Sequence, residues 1–469
     1  MKINQMDNMN TTKYRISLRI VKGLNILVMT ALFGLTWYTF YSEKIRAPFW
    51  RRGNWAVIAI FAILYALYGR VYDAFKVSLY RISDMIYSQA LAAILSNAVM
   101  YVVIWLLNQD IPPAWPLLIC LGEQLLAMVL WATSAHKWYF LNFPPRRTVI
   151  VYDRRPGMEQ LISEYGLEKK FKVDIVMPIE ECLENMAVLD NAQAVFLCGI
   201  HSHERNLILK HCIAMRDTQV YMLPRIGDVL ISSAKQLHLF HLPLLQITRY
   251  EPNPEYLFIK RAFDVTVSGL ALLVLTPLML LIAISIKLTD GGTVLYRQCR
   301  LTKDGRTFML HKFRSMRVDA EKDGVARLST GDNDERVTSV GRILRKLRLD
   351  ELPQLIDILK GDMSFVGPRP ERPEIAAQYE KELPEFALRL QAKAGLTGYA
   401  QVYGKYNTTP YDKLQMDLMY LAKPSVVEDL RIIFATIKII LMPDSTEGVK
   451  DGQVTADDDI TLREAIHHE

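Results

Sequence analysis

The sequence predicts a multi-domain membrane protein: an α-helical transmembrane bundle, a Rossmann-like α/β domain, a re-entrant membrane helix and a mainly α cytoplasmic domain. Three observations carry this. Four apolar blocks, each near or above the length that crosses a hydrocarbon core, crowd residues 1–140. Short β-rich runs then alternate with polar helical stretches. A fifth apolar segment follows, with a proline near its middle and bases on both flanks.

The bulk numbers fit that outline. The chain has 469 residues, 51% of them hydrophobic, enough for two or three domains. The formal net charge is +6 and the pI is near 8.8. A basic balance suits nucleic acid, an anionic membrane or phosphorylated substrates. The apolar blocks favour the last two, so no nucleic-acid partner is expected. Five cysteines lack any CxxC spacing, which reads as free thiols in a reducing compartment, without disulfides or structural zinc.

The bundle is assigned to residues 1–140. Gly23–Tyr41, Gly53–Gly69 and Met85–Gln109 carry no charge, and Ile111–His136 carries one, Glu123. The basic Met1–Lys22 stretch is followed by no small-residue cleavage site, so it reads as a retained anchor. Trp37, Trp55, Trp115 and Trp138 sit near span ends, where interfacial aromatics belong. Lys and Arg are dense before the first span and between the second and third, and absent between the third and fourth. Lys44, Arg46, Arg51 and Arg52 argue the other way, but the sum favours a cytoplasmic N-terminus. Glu123 is read as a helix–helix hydrogen-bond partner inside the bundle, in preference to a lipid or proton path.

The α/β domain is assigned to 147–246. Thr148–Tyr152, Lys172–Val176, Ala194–Leu197 and Gln219–Met222 are the expected strands. A nucleotide-binding unit would place G-x-G-x-x-G after the first. Tyr152-Asp-Arg-Arg-Pro-Gly157 has one glycine, so the domain reads as scaffold, assembly surface or regulator. Cys198, His201, His203 and His211 match no standard metal spacing and read as surface residues.

Residues 257–289 hold the fifth apolar segment, uncharged from Val265 to Ile286. Pro277 removes a backbone hydrogen bond there. Lys260 and Arg261 precede the segment, and Lys287, Arg297 and Arg300 follow it. A span wants its positive charge on one side. The expectation is a helix that enters one leaflet, bends at Thr276-Pro277 and returns.

Residues 290–445 hold the densest chemistry. Thr293–Arg297 and Thr307–Phe313 read as a hairpin presenting Lys312 and Arg314 to phosphate. From Gly341 to Leu359 the apolar positions follow a helical period, which gathers Arg345, Arg348, Asp350 and Glu351 on the polar remainder. Adjacent carboxylates after a basic run suit a site that brings together a phosphate, a divalent cation and a carboxylate nucleophile. Pro368 and Pro370 stiffen the backbone around Arg369, whose guanidinium forks onto phosphate oxygens. Ala394–Gln401 is a second glycine-punctuated loop. Residues 446–469 are polar and acidic and are expected to be a flexible tail.

These motifs resemble the bacterial sugar transferases, the monotopic-type phosphoglycosyl transferases that load a hexose-1-phosphate onto undecaprenyl phosphate. The carriers are Lys260-Arg261-x-x-Asp264, Val294–Gln298, Lys312-Phe-Arg-Ser-Met316, Arg348-Leu-Asp-Glu-Leu-Pro-Gln-Leu355, Gly361–Glu371 and Gly395–Val402. The likeness covers about Lys260 to Leu441, and the preceding spans and α/β domain resemble the family's long forms. It implies an enzyme on the cytoplasmic face of the bacterial inner membrane, priming exopolysaccharide, capsule or O-antigen synthesis. It implies Asp350 and Glu351 as catalytic pair and metal ligands, Asp350 being the nucleophile, Mg²⁺ as cofactor, and Lys312, Arg345 and Arg369 as phosphate-binding residues. The substrates implied are a UDP-hexose, glucose or galactose first, and undecaprenyl phosphate; the likeness also allows a homodimer. Two positions depart from the family pattern: Ala394 stands where Pro is usual, and Gly is usual near Thr302. A glycosyltransferase releasing UDP and an inactive assembly scaffold remain as rival readings.

Overall fold

The computed structural model describes residues 3–50, 52–153, 155–215, 218–239, 241–317, 336–404 and 408–441. The expected tail, 446–469, lies outside the described residues. The chain divides into two compact units, Met1–Leu223 and Pro224–Glu469.

The first unit opens with α1 (Ile3–Thr36), prolonged by a π-helical turn at Trp37–Tyr41, then α2 (Arg52–Val71), α3 (Ile82–Asn108) and α4 (Trp115–Asn142). All four are long and apolar enough to cross a membrane. Leu27, Ile63, Leu106 and Leu126 point outward, while Asn25, Gln89, Asn97 and Gln124 are buried among the helices. Lipid solvates the leucines, so packing and interhelical hydrogen bonds must hold the bundle. Asn25 Nδ2 donates to Gln89 Oε1 at 3.1 Å, Tyr65 donates to Asn25 Oδ1 at 2.9 Å, and Asn97 Nδ2 donates to Gln124 Oε1 at 2.7 Å. The expected role of Glu123 needs correcting. One residue is a turn of about 100° on a helix, so it is Gln124 that faces inward and bonds across, and Glu123 is exposed on the outer face.

A parallel sheet completes the unit: β1 (Arg146–Tyr152), β2 (Phe171–Pro178), β3 (Ala194–Cys198) and β4 (Gln219–Met222), in the order β2-β1-β3-β4. Helices α5 (Met158–Glu164), α6 (Ile179–Glu184) and α7 (Ser202–Ala214) lie in the connections. Val149 and Val151 pack on one face with Leu197 and Ile208, and Ile150 on the other with Ile162 and Phe171. Burial on both faces explains the unbroken apolar run of β1. Among the histidines considered at sequence level, His211 meets Asp190 at 2.8 Å and His201 meets Asp153 at 3.8 Å.

The second unit begins with α8 (Ile226–Ser232) and an antiparallel hairpin, β5 (Lys235–Leu239) and β6 (Leu242–Gln246), which sequence reasoning did not distinguish from the preceding sheet. Helix α9 (Pro254–Asp290) runs unbroken through Pro277. The Thr276 hydroxyl bonds back to the Leu272 carbonyl, as Ser285 and Thr289 of the same helix do to theirs, and the bend and return expected at Thr276-Pro277 do not interrupt the helix. The antiparallel pair β7 (Leu295–Leu301) and β8 (Thr307–Phe313) follows, with Lys312 opposite Tyr296.

The long amphipathic helix expected over Gly341–Leu359 is two short helices. Helix α10 (Ser339–Lys346) ends in a left-handed residue, Arg348 at φ 52°, and a 3₁₀ turn over Leu349–Glu351 leads through Pro353 into α11 (Gln354–Lys360). Apolar spacing does not register this turn: Leu344 of α10 packs with Phe313, Leu355 and Ile358 of α11 pack with Phe308 and Leu310, and Ile343 and Leu347, though in phase, are exposed. Then come β9 (Met363–Val366), α12 (Pro373–Glu382), β10 (Ala394–Thr397) parallel to β9, α13 (Tyr399–Tyr403), α14 (Pro410–Ala422) and α15 (Val426–Leu441). The mainly helical character expected here is present.

The motif Lys260-Arg261-x-x-Asp264 ties α9 to this unit. Lys260 pairs with Asp429 at 2.8 Å. Arg261 donates to the carbonyls of Ile358 and Leu359 at 2.8 Å, where a cation suits the C-terminal end of α11. Asp264 accepts from Ser364 Oγ and from the Phe365 N–H. Further along α9, Leu272 and Leu275 pack around Phe308, Leu310 and Leu355, and Ile282 and Ile286 pack with Phe313 and Leu344.

Candidate active site

Strand β8 and the turn after α10 converge. Lys312, near the end of β8, donates to Glu351 Oε1 at 3.0 Å. Arg369, from the loop after β9, donates to the same oxygen at 3.3 Å. Asp350 is 9% exposed, and the charges acting on it come from Lys312, Glu351 and Arg345. The five candidate site residues Lys312, Arg345, Asp350, Glu351 and Arg369 therefore form one cluster. Thr276 and Pro277 belong to the middle of α9 and make none of these contacts.

Local geometry explains the convergence. The Thr338 hydroxyl caps α10 through the Gly341 N–H at 2.9 Å, and the Thr338 N–H donates to the Ser315 carbonyl. A Cβ on Gly341 would collide with that carbonyl, so only glycine lets α10 start this close to the end of β8. The left-handed Arg348 then reverses the chain and turns Asp350 inward.

The two carboxylates differ. Burial, and the Glu351 charge, push the Asp350 carboxyl above its ordinary range against the pull of Lys312 and Arg345. Burial also acts on Glu351, but Lys312, Arg369 and Arg348 outweigh it and hold that carboxyl far below the usual range. The two environments thus diverge: the charged form is favoured on Glu351 and disfavoured on Asp350.

Two buried arrangements supporting the cluster escaped sequence reasoning. Asp357, fully buried on α11, accepts from the His311 N–H at 2.9 Å and meets His311 Nδ1 at 2.6 Å, so it locks β8 beside the dyad. Arg389 pairs with Asp417 at 2.6 Å, lies 3.6 Å from Glu371, and donates to the Arg369 carbonyl at 3.0 Å. It holds the backbone from which Arg369 reaches the dyad. Neither pair has a sequence signal, because the partners lie far apart in the chain and on different elements.

The two departures from the family pattern meet each other. The Ala394 N–H, which proline would lack, donates to Thr302 Oγ1 at 3.2 Å, and Thr302 Oγ1 donates to the Asp362 carbonyl at 2.8 Å. A hydrogen bond thus takes over the stiffening that a proline ring would give. Thr302→Gly is expected to destabilise by about 1–3 kcal/mol, by leaving buried groups unpaired. Ala394→Pro should be harmful alone and milder on that background, with a coupling of about 1 kcal/mol or more in a thermal-melt double-mutant cycle. Additive effects would mean that the two positions are independent.

The side-by-side carboxylates fit Mg²⁺, which takes one or two carboxylates and completes its shell with water and substrate phosphates. Among the described residues no group of three or more histidine, cysteine, aspartate or glutamate side chains is placed to hold a metal ion.

Comparison with known proteins gives the family. Residues 255–443 match the family model described as bacterial sugar transferase. The UDP-N-acetylgalactosamine-undecaprenyl-phosphate N-acetylgalactosaminephosphotransferase of Aeromonas hydrophila is 38% identical over 231 residues, 49% of this chain and 53% of that protein. The UDP-glucose:undecaprenyl-phosphate glucose-1-phosphate transferase of Escherichia coli (strain K12) is 36% identical over 234 residues, 49% of this chain and 50% of that protein. The chain thus spans about half the length of these two. The exopolysaccharide production protein PSS of Rhizobium leguminosarum bv. phaseoli is 43% identical over 190 residues, 39% of this chain and 94% of that protein. With a relative 43% identical matched over 94% of its own length, the chain belongs to the bacterial sugar transferase family.

Proposed function

We propose that the protein transfers a hexose-1-phosphate from a UDP-hexose to undecaprenyl phosphate in two displacements. The Asp350 carboxylate attacks the phosphorus that bears the sugar, the P–O bond to UMP breaks, and UMP leaves with the bonding electrons. The phosphate oxygen of undecaprenyl phosphate then attacks the same phosphorus and displaces Asp350, giving undecaprenyl-diphospho-hexose. The observation that carries this reading is the dyad: a buried carboxyl beside a second one kept ionised by Lys312 and Arg369. An anion attacks a phosphate diester only where the negative charge is masked. Asp350 and Glu351 would hold Mg²⁺, which when bound neutralises charge on the phosphates. Lys312, Arg345 and Arg369 bind and orient the phosphate oxygens.

Helix α9 is read as lying in the cytoplasmic leaflet of the inner membrane without crossing it. Contacts with the same unit run from Arg261 to Ile286. At 1.5 Å per residue that is about 37 Å, longer than a hydrocarbon core of about 30 Å. A crossing helix would carry Phe313 and Leu344 to the far side. Leu273, Val274, Leu281 and Leu288 on its outer face are exposed and apolar. The parallel sheet is read as a Rossmann-like scaffold.

The test is product identification. Purified protein, Mg²⁺, undecaprenyl phosphate and a panel of UDP-sugars should release UMP with one or a few donors. UDP as the nucleotide product would mean transfer of the sugar alone, and no product with any donor would leave a scaffold.

A further inference from the structure

Four cations surround the dyad, and they are not equally committed. Lys312 and Arg369 both bond to Glu351. Arg345 Nη1 is buried with no partner among the described residues. Arg348 is half-buried and makes backbone hydrogen bonds only among the described residues: its N–H donates to the Arg345 carbonyl and its own carbonyl accepts from the Glu351 N–H. Two guanidinium groups, one helical turn apart in sequence, thus act on the dyad by charge, Arg345 on Asp350 and Arg348 on Glu351, without hydrogen-bonding to it among the described residues.

Arg348 also occupies an awkward backbone position. Its φ of 52° and ψ of 24° are left-handed, a region that favours glycine, with asparagine and aspartate next because their short side chains bond locally. Arginine gains no such compensation. A turn whose only task was to reverse the chain before Asp350 would be better served by glycine. Strain of this kind persists where the side chain does something that the backbone geometry alone does not need.

We propose that Arg348 is a phosphate-binding residue, which with Arg345 takes the oxygens of a phosphate ester opposite Lys312 and Arg369. It rests on the reading of the site given under Proposed function and adds a group which that reading left unassigned. The left-handed turn places the guanidinium within electrostatic reach of Glu351, on the dyad that the phosphate must approach. A planar fork suits two phosphate oxygens at once, which a lysine cannot match. Both substrates carry this chemistry, one in a nucleotide diphosphate and the other in a lipid phosphate.

Arg348→Gly separates the side chain from the turn, because glycine keeps the backbone and relieves it. The full chain in nanodiscs with Mg²⁺ is titrated with UMP, and separately with undecaprenyl phosphate, and its thermal midpoint is measured. The expected result is a midpoint no lower than wild type, with binding of one probe weakened about tenfold or more, the scale of a charge-assisted hydrogen bond. Weakened UMP binding assigns Arg348 to the nucleotide donor; weakened lipid-phosphate binding assigns it to the acceptor. Arg348→Lys should recover part of the loss. Unchanged binding of both probes overturns the proposal, as does a midpoint lowered by several degrees, which would make the side chain structural. A wild type that binds neither probe overturns it too. A wild type that binds UMP yet releases none from any UDP-sugar refutes the proposed reaction and leaves this site standing.

Discussion

Asp350→Asn is expected to abolish UMP release, by a factor on the order of 10⁴ or more, the scale seen when a nucleophile is removed. The loss should come without loss of fold. Burial and the neighbouring Glu351 disfavour the charged form of Asp350 in the folded protein. A carboxyl whose folded pKa is raised destabilises the native state at pH values above it. Replacing it by a neutral amide of the same shape therefore leaves the thermal midpoint at pH 7 unchanged or higher. Glu351→Gln differs on both counts: its charge is favoured by Lys312 and Arg369, so its removal lowers the midpoint while the nucleophile remains. The check is a pair of measurements on each variant, nucleotide products by chromatography and a melt in detergent. A radiolabelled donor should leave a hydroxylamine-sensitive adduct on wild type and none on Asp350→Asn. Turnover retained by the asparagine variant would remove Asp350 as the attacking group.

How far the sequence led depends on distance along the chain. Strand β4 coincides with the expected Gln219–Met222 and β8 with Thr307–Phe313, because alternation and flanking turns are local signals. The dyad and its basic neighbours were legible for the same reason, since Arg345, Asp350 and Glu351 share one turn region. The break at Arg348 was not. Ile343, Leu344 and Leu347 before it and Leu355, Ile356 and Leu359 after it keep a helical period across it, and φ has no compositional mark when the residue is arginine. The contacts of His311 with Asp357 and of Arg389 with Asp417 join residues 46 and 28 positions apart, and no periodicity connects them. In the bundle, the sequence located a polar pair within the fourth apolar block but not its facing: Glu123 and Gln124 are adjacent, and the helix phase that buries the second was fixed by packing against Asn97. The hydrogen bond between Thr302 and Ala394 converts two apparent weaknesses into one contact, visible only once β10 is beside the turn after β7.

Asp417→Ala is expected to be the most destabilising single change in the second unit, by about 3–5 kcal/mol, because it leaves the buried Arg389 guanidinium without its closest partner. Arg389 is 2% exposed, and Glu371 at 3.6 Å cannot reach it as Asp417 does at 2.6 Å. Burial works against the Arg389 charge, and Asp417 and Glu371 more than offset it. The consequence should reach the site, since Arg389 also donates to the Arg369 carbonyl. Stability and positioning separate in a double variant. Arg389→Met with Asp417→Leu replaces the pair by apolar groups of similar size, a change that is often neutral or stabilising for a buried ion pair. The double variant should melt close to wild type, yet release UMP more slowly and bind it more weakly, because the loop carrying Arg369 has lost its donor. Full recovery of both melting and UMP binding would mean that the ion pair only fills space, and that Pro368 and Pro370 suffice to hold Arg369 against Glu351.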